Sequence, residues 1–269
     1  MRSLAAVVAF VLSLITTTAQ GHEFWIDPER FIVPAGAPIR ADLRVGETFE
    51  GGAQILNPLR LRRHDVATGE GLLPGEGRLG DRPAIVQAVP EGLAVILVAT
   101  VDSKLTYSAF EDFEAFVTHK AAGWTVEAHG ARDLPPSGFA EAYSRYAKSL
   151  VAIGDGAGSD RAFGLETEFV ALKNPYSDDV SQGLPVEVLY GGAPRAGEQV
   201  EVFEKAPDGA VAVSTITTDG DGRALIAVRP GHRYMLDSVV LREPSAEVAE
   251  ATGAVWESLW ANLTFAVPE

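Results

Sequence analysis

The sequence predicts a mainly β protein made of two β-sandwich domains, and three observations carry that prediction. Short apolar runs of strand length recur at 24–33, 39–45, 54–62, 84–88 and 93–100, and again at 166–172, 185–190, 199–204, 211–217, 223–228, 234–241 and 256–267. The breaks between them carry turn chemistry: Asp27-Pro28, Pro34-Ala35-Gly36, Gly191-Gly192, Pro207-Asp208-Gly209, Asp219-Gly220-Asp221-Gly222 and Pro230-Gly231. These residues supply a positive φ or a preset proline φ. No internal repeat is present, which disfavours solenoids and propellers.

The chain opens with Arg2 and an apolar run over 4–15 that only Ser13 interrupts. That is the pattern of an export signal, too short to be a stable membrane anchor. Ala19-Gln20-Gly21 puts small residues at the third and first positions before a cut, so cleavage after Gly21 makes His22 the first residue of a periplasmic or secreted protein. Cuts after Ala19 or Gln20 also fit. There is no cysteine, so the fold has no disulfide and rests on its core, for which a hydrophobic content of 46% is sufficient. The length of 269 residues suits one large or two ordinary domains. A net charge of −15 argues against nucleic acid as a partner and suits a protein that meets cations.

The first domain is expected over 22–154. Its 69–82 stretch, rich in glycine, proline and charge, reads as a loop. A lid helix follows: Ser108 and Glu111 have capping-box spacing, Phe110, Phe113, Phe116 and Val117 share a face, and Gly123 ends it. At 139–154, Phe139, Tyr143, Tyr146, Leu150 and Val151 fit helical spacing while 149–153 fits a buried strand, so helix then strand is expected. Residues 155–164 have linker composition. The second domain, 165–269, has about seven strands, the number of an immunoglobulin-like or transthyretin-like sandwich.

Four motifs in order, H-E-F-W-I-D-P from His22, E-A-Y-S-R-Y-A-K-S-L-V from Glu141, E-T-E-F-V-A-L-K-N-P-Y from Glu166 and W-E-S-L-W-A-N-L-T-F from Trp256, span nearly the whole exported chain. Together they resemble a bacterial family of exported domains of unknown function described as periplasmic components of cobalt and nickel uptake systems of the ABC type. The resemblance implies a transthyretin-like second half. It carries over the opening His-Glu-Phe-Trp as a metal motif and no catalytic residue.

A histidine at a free N-terminus offers an α-amine and an imidazole that close one chelate ring, and both nitrogens lose their proton cheaply near neutral pH. Such ligands suit nickel, cobalt, copper and zinc, with copper(II) the tightest in a bare competition. The bland alternative is that His22 merely begins a strand anchored by Phe24 and Trp25. Further ligands would come from His119, near the end of the lid helix, and from Glu127 and His129, whose alternation puts them on one face of a strand. His119 also reads as a helix-terminal cap. His64, in a charged turn, and His232, after Pro230-Gly231, read as solvated loop residues. Asp219 to Gly222 reads as a hairpin rather than a calcium loop, because strands flank it. Tyr143, Arg145, Tyr146 and Lys148 form either an anion-holding patch or a packed junction.

No nucleophile elbow, phosphate loop, dinucleotide fingerprint or zinc-protease helix is present. The expectation is therefore a non-enzymatic binder of a transition-metal ion (nickel, cobalt or copper), or an accessory of a membrane-embedded metal transporter. The alternatives are a structural or adhesion-like sandwich module that binds a protein or glycan, and a copper oxidase if a second histidine lies beside His22.

Overall fold

The computed structural model describes residues 22–269; the expected export signal and cleavage after Gly21 lie outside the described residues. The first half begins with β1 (Glu23–Pro28), β2 (Ile32–Val33), β3 (Ile39–Glu47) and β4 (Glu50–Gln54). It continues through β5 (Leu61–Thr68), β6 (Gly71–Pro74), β7 (Ile85–Gln87), β8 (Gly92–Thr100) and β9 (Ser103–Tyr107). Two helices, α1 (Phe110–His119) and α2 (Trp124–Ala131), then precede the long strand β10 (Phe139–Ile153). The second half holds β11 (Thr167–Ala171), β12 (Leu184–Tyr190), β13 (Ala193–Pro194), β14 (Gln199–Lys205), β15 (Val211–Thr217) and β16 (Arg223–Ile226). It ends with β17 (Arg233–Arg242), the short α3 (Ala246–Thr252) and β18 (Ala254–Ala266). The mainly β expectation holds. Among the described residues no helix is long and apolar enough to cross a membrane.

The sheets connect in a way that the strand count did not suggest. A ten-stranded sheet runs β15-β14-β17-β18-β10-β8-β5-β6, with β2 and β9 also pairing β10. Its centre is the parallel pair β10–β18, matched from Ala140 opposite Ala254 to Ser149 opposite Thr264. One sheet therefore contains strands of both halves. A four-stranded sheet of β11, β12, β13 and β16 packs on one face through Leu97, Leu150, Phe169, Val186, Leu236 and Leu263. A second, of β1, β3, β4 and β7, packs on the other through Ile26, Ile39, Ile85, Ile96 and Val151. The helices join that second side, where Phe113 and Phe116 meet Trp256 and Trp260. The 155–164 segment is fastened to the sheet: the Leu93 N–H donates to Ala157 O at 2.8 Å, and buried Asp160 pairs with buried Lys148 at 2.8 Å.

Four local expectations need correction. Residues 139–153 are one continuous strand, not helix then strand. Because β10 is covered on both faces, it lacks polar alternation, and its aromatics fall at helical spacing without forming a helix. The lid helix is capped by Ala109 with no side-chain cap bond, and it ends at Lys120 rather than Gly123; Ala121 leaves it with φ 56°. The stretch 54–62 is broken by the turn Pro58–Arg60, and the 69–82 loop contains β6. The Asp219 to Gly222 segment is a tight turn but not a hairpin, because β15 pairs β14 in the large sheet and β16 pairs β12 in a small one; the Asp219 carboxylate accepts the N–H groups of Asp221 and Arg223, both at 2.9 Å.

A shared sheet predicts one unfolding transition for both halves. Leu263→Ala, in β18, should cost about 2–5 kcal/mol and move that single transition as a whole in urea denaturation followed by near-UV and far-UV signals. Two transitions, only one of them moved, would contradict the shared sheet.

Candidate functional site

The antiparallel register of β1 and β3 pairs Glu23 with Gly46, which sets His22 opposite Glu47. His22 Nδ1 lies 3.1 Å from Glu47 Oε1, with both side chains about half exposed. The turn after Glu47 is strained, since Thr48 and Phe49 hold φ of 53° and 57°. Two-residue hairpin turns with positive φ at both positions ordinarily use Asn-Gly, and a residue with a Cβ there costs on the order of 1–3 kcal/mol. Packing holds the strain in place. Phe49 is buried edge-on against Trp25, centroids 5.8 Å apart, beside Phe203 and Met235. A Cβ on Gly51 would fall 2.8 Å from Trp25 Cη2, so glycine lets the indole sit under the hairpin.

Beneath this turn the sheet buries charge. Glu201 of β14 and Asp237 of β17 are direct cross-strand partners, an arrangement that like charges disfavour. Lys120, at the end of α1, resolves it. Its ammonium lies 3.3 Å from Glu23 Oε1 and 3.2 Å from Asp237 Oδ2, closest to Glu201 Oε2, and 4.7 Å from the Trp260 ring centroid. All four charged groups are buried. Burial works against the Lys120 charge, but Asp237, Glu201 and Glu23 outweigh it and hold its pKa above the ordinary value. Burial, then the Asp237 charge, pushes Glu23 up to about 7 against the pull of Lys120. Burial likewise raises Asp237. The three carboxylates have the spacing of a metal cage, yet the lysine ammonium already stands among them, so the group reads as an ion-paired lysine.

His119, the residue before Lys120, sets its Nε2 2.7 Å from Glu201 Oε1 and keeps about half its side chain exposed. Glu23, Glu47, His119 and Glu201 line one cleft of about 240 Å³. His22 lines an adjoining cavity of about 270 Å³, and Phe116 belongs to both. The fold thus brings His22 and His119 to neighbouring cavities. It does not bring Glu127 or His129 there. The two lie on helix α2, not on a strand, with Glu127 exposed and His129 buried. His129 Nδ1 is 3.0 Å from Trp256 Nε1, and its Nε2 is 3.0 Å from Pro135 O. An indole N–H only donates, so Nδ1 accepts and Nε2–H donates to the carbonyl. Both ring nitrogens are used, and a metal has no lone pair to take. His64 lies in β5 rather than in a turn, and neither it nor His232 lines these two cavities.

The expected patch on β10 is split by the strand's alternation. Tyr143 and Arg145 face the His22 cavity, while Lys148 points to the other side of the sheet and pairs with Asp160 and Glu168. Sequence reasoning passed over Lys120, Glu201 and Asp237. A signal was available for Asp237: an acid inside the otherwise apolar run 234–241 must find a buried partner.

A family model described as a domain of unknown function, DUF4198, matches residues 19–241. The chain belongs to this family. The DUF4198 match covers β1 through nearly all of β17 and stops before α3 and β18. No curated protein matches the chain. Among solved structures, one described as a tetra-tandem repeat in the extending region of a large adhesion protein aligns at 9% identity with a TM-score of 0.22. The alignment covers 91% of this chain and 49% of that one, so the chain spans about half its length.

Two predictions follow from the buried charge and the strained turn. Folded Glu23 keeps its proton up to about pH 7, whereas the unfolded carboxyl releases it near 4.5, so its contribution lowers stability as pH rises through that window. Glu23→Gln should flatten that fall, by at most about 3 kcal/mol, in urea unfolding at pH 5 and pH 8; parallel profiles would refute the assignment. Thr48→Gly should raise stability by about 1 kcal/mol by relieving the turn, read as a higher melting temperature.

Proposed function

We propose that the protein is an exported, non-enzymatic binder of a transition-metal ion, nickel, cobalt or copper, which it holds as cargo for a membrane-embedded transporter. The observation that supports this reading is the His22–Glu47 pair on the rim of two cavities, with His119 on the wall of the adjoining one. A separation of 3.1 Å between an imidazole nitrogen and a carboxylate oxygen suits neighbouring ligands on one ion with bonds of about 2.0–2.2 Å. Export with cleavage after Gly21 adds the α-amine as a third donor on the same residue. The donor set is nitrogen-rich with one carboxylate, which fits late first-row ions. His119 is held by Glu201 at 2.7 Å on the wall of the neighbouring cleft, and His22, Glu47 and His119 do not have ligand atoms within 4.8 Å of one another, so the set rests on His22 and Glu47. Copper leads on intrinsic affinity, and a preference for nickel or cobalt would come from geometry or supply.

Protein beginning at His22, with its mass verified, should bind one nickel ion per chain in calorimetric titration at pH 7.5. Affinity should fall below pH 6 as protons compete for the nitrogens. His22→Ala and a single alanine added ahead of His22 should each weaken binding by about 100-fold or more. Unchanged affinity in the extended protein would refute the chelate.

A further inference from the structure

On β10 Arg145 stands opposite Trp260 of β18. Its guanidinium lies 4.0 Å from that ring centroid and 5.0 Å from the Tyr143 ring, and the residue is only 8% exposed. Stacking fixes the plane of the group but uses none of its five N–H donors. Nη1 is buried with no hydrogen-bond partner, and the guanidinium enters no ion pair among the described residues. Other buried cations differ: Lys120 meets three carboxylates, Lys148 meets Asp160 and Glu168, and Arg195 meets Glu198 at 2.6 Å.

The acids around Arg145 are otherwise engaged. Glu141 accepts the hydroxyls of Tyr107, at 2.7 Å, and Ser258, and burial pushes its carboxyl up, weakening its negative charge. Asp237 and Glu23 hold Lys120. They ease the burial of the guanidinium from a distance, but leave its N–H groups unmet. In front of it lies the cavity of about 270 Å³, with apolar walls from Val45, Leu105 and Phe116 and the exposed Lys104, which also has no ion pair among the described residues. The net charge of −15 repels anions at long range, but salt screens exposed charges beyond about 8–10 Å, so the groups lining the pocket decide: Arg145 and Lys104 against Glu141, which burial pushes toward its neutral form.

We propose that this cavity binds a small carboxylic acid with an apolar body, its carboxylate gripped by Arg145 and approached by Lys104. A planar carboxylate matches the guanidinium fork in two parallel hydrogen bonds, and a hydrocarbon or aryl body fills the apolar walls as ligand pockets require. Inorganic phosphate satisfies only the first of these. The proposal does not rest on the metal reading, because Arg145 rather than His22 carries it.

The test uses protein beginning at His22, in excess EDTA to remove any metal contribution, titrated with phenylacetate and followed by calorimetry and saturation-transfer NMR. Phenylacetate should bind at one per chain, with phenylacetamide and inorganic phosphate about tenfold weaker or more. Arg145→Met should lose about tenfold or more in affinity without a lower melting temperature, since it removes an unmet buried charge. Lys104→Ala should lose about threefold. Equal binding of acid and amide, no binding of phenylacetate, or full affinity in Arg145→Met would overturn the proposal; if Arg145→Met fails to fold, the acid–amide comparison and Lys104→Ala decide it. Phenylacetate binding is read in EDTA and nickel binding without phenylacetate, so failure of the metal chelate and failure of the acid pocket are separately visible.

Discussion

The parallel pairing of β10 with β18 is the constraint on which the molecule depends. It joins strands more than a hundred residues apart in sequence and places them at the middle of a ten-stranded sheet. Parallel strands buried on both faces need cover on both sides, and the two smaller sheets and the helices supply it. The same pairing sets Arg145 beside Trp260 and lets Glu201 and Asp237, from the second half, meet Glu23 and Lys120, from the first. The site therefore belongs to neither half alone.

Within that frame Lys120 fixes position more than it adds stability. A buried ion-paired cage gains little over an apolar core once the cost of taking its charges out of water is counted, yet removing one partner leaves the rest exposed to one another. Lys120 follows directly on α1 and reaches carboxylates on β1, β14 and β17. The helix ends there, ahead of Gly123, through a backbone cap in which Ala121 turns to φ 56° and the Ala122 N–H donates to Val117 O at 2.7 Å. His119, the last residue of α1, lies at the cleft, where its Nε2 is 2.7 Å from Glu201 Oε1.

The strand pattern was legible because turn chemistry and apolar runs are local. Asp219 could be read as a turn residue for that reason, whereas which sheet the next strand joins could not. The β10 strand could not, because burial on both faces removes the alternation that distinguishes a strand, and Tyr143, Tyr146 and Leu150 coincide with a helical repeat. Of the metal candidates, His22 and His119 reached neighbouring cavities, and nothing local tells them from His129. His129 is separated from them by a distant partner, the Trp256 indole 127 residues away. The charged cage was illegible for the same reason. Its members lie 97, 81 and 117 residues from Lys120, and no spacing rule links them.

Breaches of ordinary folding rules are concentrated on one side of the large sheet. Thr48 and Phe49 hold glycine conformations, Glu23 keeps its proton to about neutral pH, and Arg145 lacks a counter-ion. Orphaned polar atoms of Trp25, Asp237 and Asn262 join them, and Asp237 stands directly opposite Asn262 in the sheet. The opposite side shows how the chain treats buried charge where only structure is at stake. There Lys148 is met by Asp160, Glu168 and two carbonyls. A sequence able to satisfy one buried lysine so fully has the means to satisfy Arg145 as well. Local rule-breaking that survives in an otherwise consistent fold is what sets this face apart, and it is the face that carries both proposed binding sites.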